Sequence, residues 1–194
     1  NLTFLLQTIC DITAIYSPCA PAYGMEPWHP SLKDTFELLT GKSNMAHGYD
    51  KWEKESVKNE ENPLVPYNVT KKTEIKKFGA GKDDAKTEIS GRLIGGCLDC
   101  LSNLAGTKFD KVSDFNEKYK EDGIIWFMES CDLNPMAIRR AIWQLDHAGW
   151  FKYVKGFLIG RPLCLDEEIL GVDRYNAVYP LLEKYNVPII MDLD

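Results

Sequence analysis

The second half of the chain contains four short, predominantly apolar segments. They read GRLIGG from Gly91, GIIWFMES from Gly123, GFLIGRP from Gly156 and VPIIMDLD from Val187. Continuous apolar runs of this length are typical of strands that are buried on both faces, as in parallel sheets. Because helix-like segments separate them, the pattern predicts an α/β fold, a layered domain with a largely parallel sheet.

The helix between the second and third apolar segments has the clearest boundaries. Asn134 is a good N-cap, and Pro135 suits the first helical turn. The apolar side chains that follow share one helical face: Ile138, Ala141, Ile142 and Leu145. We also predict helices over CLDCLSNLAG, which ends at Gly106, and over VDRYNAVYPLLEKYN, which starts at Val172.

The first part of the chain predicts further elements. Residues 2–15 are apolar nearly all round, which is typical of a buried helix. A short strand is predicted over residues 14–16. Ser31 is the expected N-cap of a second helix, which ends at Gly41.

Composition divides the chain into three parts. Residues 42–90 are polar and charged, which predicts an extended crossover or insertion at the surface. The expected organisation is the end of an N-terminal α/β domain over 1–41, this crossover over 42–90, and a C-terminal α/β domain over 91–194. Because an apolar helix pattern opens the chain and an apolar strand pattern closes it, we expect a piece of a longer protein.

Charge and cysteine content restrict the partners. The net charge of -6 provides no basic surface, so nucleic acid is not an expected partner. The chain has no run of about 18 apolar residues, so no membrane partner is expected. Six cysteines spread along a chain of 194 residues indicate reduced thiols and a cytoplasmic location. The oligomeric state stays open, with a homodimer as the common arrangement among α/β enzymes.

Two cysteine motifs raise the question of thiol or metal chemistry. The CLDC motif, Cys97 to Cys100, lacks the second cysteine pair of a structural zinc site, so neither a metal nor a cofactor is expected. Cys10 precedes Asp11 but is expected deep in an apolar helix, where a thiolate is disfavoured. A thiol enzyme that uses Cys10 or Cys97 stays an alternative.

Four residues are candidates for a functional site. Glu129 ends an apolar strand, and open α/β sheets bind ligands at that edge, although a strand-end carboxylate can also simply reach solvent. Gly95 and Gly96 would let the backbone pass close to another group. Trp52 lies in the charged segment, where an aromatic ring is either a local anchor or a stacking platform for a ligand.

Taken together, four blocks resemble a known family. They are GRLIGGCLDCLSNLAGT, IIWFMES, AIRRAIWQLDHAGWFKYVKGFLIGRP and VPIIMDLD, in this order and spacing within residues 91–194. They look like the C-terminal half of the serine LD-carboxypeptidases, which include muramoyl-tetrapeptide carboxypeptidases and microcin C self-immunity peptidases. Upstream, AIYSPCAPAYG is similar to the family's tyrosine-glycine-proline strand.

The resemblance implies a Ser-Glu-His triad of which this chain holds only the glutamate, Glu129. The serine is expected a few residues before Asn1 and the histidine shortly after Asp194. In the implied acyl transfer, the serine attacks an amide carbonyl, the histidine acts as base and then as acid, and Glu129 orients the imidazole. The chain alone is therefore expected to be inactive. The expected substrate-binding residues are Trp52, Gly95 and Gly96.

Two substrate classes fit the resemblance. The expected reaction is hydrolysis of an amide bond next to a free carboxylate in a small peptide, as in peptidoglycan recycling. The long charged segment with Trp52 also resembles the immunity-type branch, which hydrolyses aminoacyl-nucleotide analogues and stacks a tryptophan on the base. A catalytically inert binding fragment is a third alternative.

Overall fold

A computed structural model describes residues 2–193 of the chain. Its strands are β1 (Lys51–Trp52), β2 (Lys71–Lys72), β3 (Lys76–Gly79), β4 (Arg92–Cys97), β5 (Ile124–Glu129), β6 (Val154–Gly160) and β7 (Pro188–Leu193). Strands β3 to β7 form one sheet in the order β3-β7-β6-β5-β4. The four predicted apolar segments are β4 to β7, which pair in parallel, while β3 is antiparallel to β7. The predicted α/β fold with a largely parallel sheet is confirmed.

The chain divides into two compact units, which are described separately. One unit contains the residues up to Ala14 together with Ile75–Leu193, and the other contains Ile15–Glu74. The three-part division at residues 42 and 91 stays a prediction. Its outermost positions, Asn1 and Asp194, lie outside the described residues.

The helices of the first unit vary greatly in length. They are α1 (Leu2–Cys10), α3 (Leu98–Leu101), α4 (Val112–Lys118), α5 (Pro135–His147) and α6 (Tyr179–Leu182), which continues as a 3-10 helix over Glu183–Tyr185. Helix α5 begins as predicted, because Asn134 Oδ1 accepts the Ala137 N–H at 2.9 Å. The predicted apolar face of α5 is buried. Within residues 2–193, no helix is both long and apolar enough to cross a bilayer.

Replacing Asn134 by alanine is expected to destabilise the protein by about 1 kcal/mol, because the Ala137 N–H loses its acceptor. Asn134→Ser keeps a capping oxygen and should recover most of that loss. Urea unfolding of the full chain measures both values. Equal unfolding midpoints for the alanine variant and the parent would show that this cap contributes nothing.

Aromatic rings fill the centre of the first unit. Phe4 of α1 stacks on Trp150 at a centroid distance of 5.3 Å, and Trp126 of β5 stacks on the same indole at 5.7 Å. Phe151 meets Trp126 edge-on at 5.5 Å and Phe157 of β6 at 5.1 Å. These rings anchor α1 and β6 around β5, the strand that carries Glu129.

The first helix differs from its prediction in extent and burial. It ends at Cys10, and residues 14–16 form no strand. Asp11 adopts a left-handed conformation with φ of 56°, and the Ile12 N–H returns to the Leu6 carbonyl at 3.0 Å, which terminates the helix. The expected all-round burial is wrong: Leu2 is 71% exposed, and only Phe4 and Thr8 are buried.

Two other predicted helices are shorter in the structure than their sequence patterns indicate. The segment after Val172 becomes helical only at Tyr179, since Asp173 Oδ1 accepts the N–H groups of Tyr175 and Asn176 at 2.9 and 2.8 Å. Such side-chain turns replace the first helical hydrogen bonds. The predicted CLDCLSNLAG helix is α-helical only over Leu98–Leu101 and continues as turns.

The second unit is small and built around one helix. Helix α2 (Pro30–Leu39) is capped by His29, whose Nδ1 accepts the Ser31 N–H at 3.3 Å, so the predicted cap at Ser31 is wrong by two residues. A 3-10 helix (Ala20–Gly24) precedes it, and β1 pairs with β2 antiparallel. The core of the unit consists of Ala22, Met25 and Leu32, with Tyr23 and Tyr67 packed against it.

Candidate functional site

The carboxyl ends of β4, β5, β6 and β7 meet at one edge of the main sheet. The last residues of these parallel strands are Cys97, Glu129, Gly160 and Leu193, and Cys97 pairs in register with Glu129. This edge is where open α/β folds bind ligands. Glu129 therefore lies where its strand pattern predicts, and its catalytic role stays a prediction.

The Glu129 side chain lines a small cavity of about 20 Å³. Its other walls are mainly apolar, with Met128, Ile159 and Met191 among them, and Arg174 is the one cation among the described residues that line it. A space of this size holds about one water molecule. A Cβ at Gly160 would lie 2.9 Å from the Glu129 Cβ, so glycine at the end of β6 leaves room for the glutamate.

The thiol of Cys97 lies beside Glu129 but is a poor nucleophile. Burial, and then the charge of Glu129, raise the pKa of Cys97 to about 12, so the thiol is neutral at physiological pH. Cys10, expected deep in an apolar helix, is exposed instead, because its side of α1 faces solvent. The described part of the chain contains no group of three or more His, Cys, Asp or Glu that could hold a metal ion.

Asp99 connects the segment after β4 with the loop after β5. Its Oδ1 accepts the Asp132 N–H at 2.8 Å, and its Oδ2 accepts the Cys131 N–H at 3.0 Å. The Cys97 thiol donates to the same Oδ2 at 3.4 Å. The sequence shows Asp99 only as the spacer of a C-x-x-C motif, and this contact was not predicted.

A buried charged network holds the ends of β6 and β7. Asp192 is 2% exposed and accepts from Arg174 Nε at 3.0 Å and from the Tyr175 hydroxyl at 2.5 Å. Arg161, directly after β6, donates to the Asp192 carbonyl at 3.0 Å. Two arginines, a hydroxyl and a carboxylate so placed satisfy one another, as buried charges require. The sequence analysis missed this network.

The paired glycines on β4 have an explanation within the sheet. Gly95 has a φ of +153°, and a Cβ there would lie 1.7 Å from the Phe127 carbonyl oxygen on β5. Gly96 has a similar φ of +149°. The backbone of Gly95 therefore lies close to the backbone of the neighbouring strand β5. A role of Gly95 and Gly96 in binding substrate stays a prediction.

The second unit contains a much larger pocket, of about 520 Å³. Trp52 of β1 lies in its wall, and the indole N–H donates to the Lys72 carbonyl of β2 at 3.2 Å, which fixes the ring. The other aromatic or imidazole rings of the lining are Tyr16, His29, His47, Tyr49 and Tyr67. The structure thus places Trp52 in a cavity rather than on an open surface.

Asp34 of α2 is the centre of the polar groups in this pocket. Tyr49 donates to its Oδ2, and His47 Nδ1 lies 3.3 Å from the same oxygen. The Tyr49 hydrogen bond holds the pKa of Asp34 below its usual range, while burial, aided by the Asp34 charge, raises the pKa of Tyr49 to about 12. The pocket therefore presents an ionised carboxylate among aromatic rings.

Comparisons with known proteins agree with this architecture. A family model described as the LD-carboxypeptidase C-terminal domain matches residues 90–194. The structure of the microcin C7 self-immunity protein MccF without ligand superposes with a TM-score of 0.73 at 20% identity, covering 100% of this chain and 56% of that chain. A complex of MccF with aspartyl sulfamoyl adenosine gives the same values.

An MccF-like protein from Streptococcus pneumoniae in complex with AMP has a TM-score of 0.57 at 19% identity. That match covers 89% of this chain and 49% of the other. The chain thus spans about half the length of these solved structures, and identities this low show the fold alone. No curated protein matches the chain at a significant level.

Proposed function

Because the chain belongs to the LD-carboxypeptidase family, a family of peptidase-like hydrolases, we propose that the intact protein is a serine peptidase that hydrolyses an amide bond next to a free carboxylate. The observation that carries this proposal is Glu129, a half-buried carboxylate at the carboxyl end of β5 beside a largely apolar cavity. At this edge a carboxylate can act on ligands while the sheet holds it rigid.

In the proposed mechanism, Glu129 is the third member of a Ser-Glu-His triad. The serine attacks the amide carbonyl, and the histidine takes the serine proton and later gives it to the leaving amine. Water then hydrolyses the acyl-enzyme in the same manner. Glu129 accepts a hydrogen bond from the imidazole, fixes its tautomer and stabilises its charged form. The apolar surroundings strengthen that interaction, because they lower the local dielectric constant.

The direct test incubates the intact protein with each of two candidate substrates separately and detects the products by mass spectrometry. The substrates are an L,D-tetrapeptide from peptidoglycan and aspartyl sulfamoyl adenosine. Hydrolysis that a serine-directed phosphonate abolishes and iodoacetamide leaves unchanged supports the proposal. Loss of activity with iodoacetamide would favour a thiol enzyme, and binding without hydrolysis would favour the inert module.

A second candidate function is hydrolysis of aminoacyl-nucleotide analogues, as in microcin immunity. The observation that favours it is the pocket of about 520 Å³ around Trp52, a size typical of small-molecule sites. Its aromatic walls suit the face of a nucleobase, and the Asp34 carboxylate can accept hydrogen bonds from hydroxyl or amino groups of a ligand. Neighbours with this fold bind aminoacyl sulfamoyl nucleotides and AMP.

We expect Trp52→Ala in the intact protein to weaken AMP binding roughly 5- to 150-fold, because base stacking on an aromatic ring contributes about 1–3 kcal/mol. Trp52→Phe should retain much of the affinity. Isothermal titration calorimetry measures both. The matched control is Trp143→Ala, which removes a 52% exposed indole from α5. Equal AMP affinities for Trp52→Ala and Trp143→Ala would remove the support for this second candidate.

A further inference from the structure

The loop that follows Glu129 is held by one carboxylate. Both oxygens of Asp99 are used: Oδ1 accepts the Asp132 N–H at 2.8 Å, and Oδ2 accepts the Cys131 N–H at 3.0 Å. These two residues lie two and three positions after Glu129, in a bend between β5 and α5 that has neither helical nor strand structure. The Asp99 carboxylate thus substitutes for the backbone acceptors that the sheet no longer supplies.

The charge state of Asp99 strengthens these contacts. Burial opposes ionisation, but the hydrogen bonds that Asp99 accepts, first those from the Asp132 and Cys131 N–H groups, together hold the pKa of Asp99 below its usual range. Asp99 is therefore a carboxylate at neutral pH. Hydrogen bonds to an ionised acceptor are shorter and about twice as strong as those between neutral groups.

The position of this contact connects it directly with Glu129. Cys97 and Glu129 are register partners at the ends of β4 and β5, so the two segments that follow these strands leave the sheet side by side. Two residues beyond Cys97 is Asp99, and two residues beyond Glu129 is Cys131, and these two residues are hydrogen-bonded. The hydrogen bond therefore joins the segment after β4 to the segment after β5, two residues beyond Glu129.

From this geometry we infer that Asp99 is a positioning residue, which fixes the backbone after Glu129 and thereby the direction of the Glu129 carboxylate. The inference rests on the proposed function of Glu129. A carboxylate that must orient an imidazole needs a fixed position, since a displacement of about 1 Å can cost about 100-fold in rate. Asp99 does not touch the reacting atoms and acts only through the loop.

The first test replaces Asp99 by asparagine in the intact protein. Asparagine keeps the size of the side chain but substitutes an amino group for one acceptor oxygen, so one backbone N–H loses its partner. We expect kcat to fall about 10- to 100-fold, as for other positioning contacts, with KM changed less than about twofold. Asp114→Asn, an exposed acidic residue in the first turn of α4, is the matched control and should keep the parent kcat.

A double-mutant cycle separates positioning from general stability. If Asp99 acts through Glu129, Asp99→Asn should lower kcat less than about twofold further when Glu129 is already glutamine. A merely structural role would lower kcat by the same factor in both backgrounds. That result, or a kcat for Asp99→Asn equal to that of Asp114→Asn, would overturn the inference.

Amide hydrogen exchange of the intact protein tests the contact without any assay of activity. In Asp99→Asn, at least one of the Cys131 and Asp132 N–H groups should exchange at least about tenfold faster than in the parent, because asparagine keeps only one acceptor oxygen for the two hydrogen bonds. Unchanged exchange rates would contradict the inference even if kcat fell. Full activity of Glu129→Gln would instead contradict the proposed function, and the exchange rates would still decide whether Asp99 holds the loop.

Discussion

Glu129→Gln in the intact protein is expected to lower kcat by about three to four orders of magnitude, with the fold unchanged. The amide keeps the shape of the side chain, but it cannot stabilise a charged imidazole and favours the wrong tautomer. In a well-studied Ser-His-Asp triad, replacing the aspartate by asparagine lowers kcat by about 10⁴. Because Glu129 lies at a strand end beside a small, mainly apolar cavity, solvent cannot compensate for the loss of the carboxylate charge.

The measurement is steady-state hydrolysis of the L,D-tetrapeptide and of aspartyl sulfamoyl adenosine by the intact protein. The matched control is Glu121→Gln, an exposed glutamate before β5, which should keep the parent rate. Circular dichroism of both variants verifies that the fold is retained. A rate for Glu129→Gln within threefold of the control would exclude Glu129 from the catalytic triad.

Gly95→Ala is expected to destabilise the protein by more than about 4 kcal/mol, or to prevent folding. The new Cβ would lie 1.7 Å from the Phe127 carbonyl oxygen and 2.7 Å from its carbonyl carbon. Both are backbone atoms of the neighbouring inner strand β5, so neither can move without separating β4 from β5. The φ of +153° adds strain for any residue with a Cβ.

Gly106→Ala is the matched control for this substitution. Gly106 also has a positive φ, +77°, but a Cβ there meets nothing within 4 Å. The control should therefore lose only about 1–2 kcal/mol, the conformational cost of a left-handed residue. Urea unfolding of the full-length variants gives both values. A stability loss for Gly95→Ala no greater than that for Gly106→Ala would show that β4 and β5 do not approach as closely as described.

The parallel part of the sheet could be predicted from the sequence because β5, β6 and β7 are mostly buried. Apolar runs such as IIWFM and FLI are short and bounded by glycine or polar residues, which favours buried strands, and Asn134 with Pro135 marks the start of α5. Helix boundaries could not be predicted where a side chain takes the place of a backbone carbonyl as hydrogen-bond acceptor. Asp173 diverts the first turn of a helix pattern, and the apolar pattern of α1 did not reveal that Leu2 and Ile9 would be exposed.

The candidate site was predictable only where one residue carries the signal. Glu129 is conspicuous because a carboxylate follows five apolar residues. Asp99 is not, because its partners Cys131 and Asp132 lie 32 and 33 positions away and become neighbours only through the register of β4 and β5. The Asp192 network likewise requires the ends of β6 and β7 to be placed side by side.

The order of the strands leaves β3 and β4 as the two outer members of the sheet. Open strand edges are templates for aggregation, and proteins protect them with lysines or by covering the edge with a helix or loop. Both protections are present here. On one side β3 begins with Lys76 and Lys77, and on the other the Gln7 amide of α1 donates to the Leu93 carbonyl of β4 at 3.1 Å. These features disfavour edge-to-edge pairing of this sheet with the sheet of a second copy.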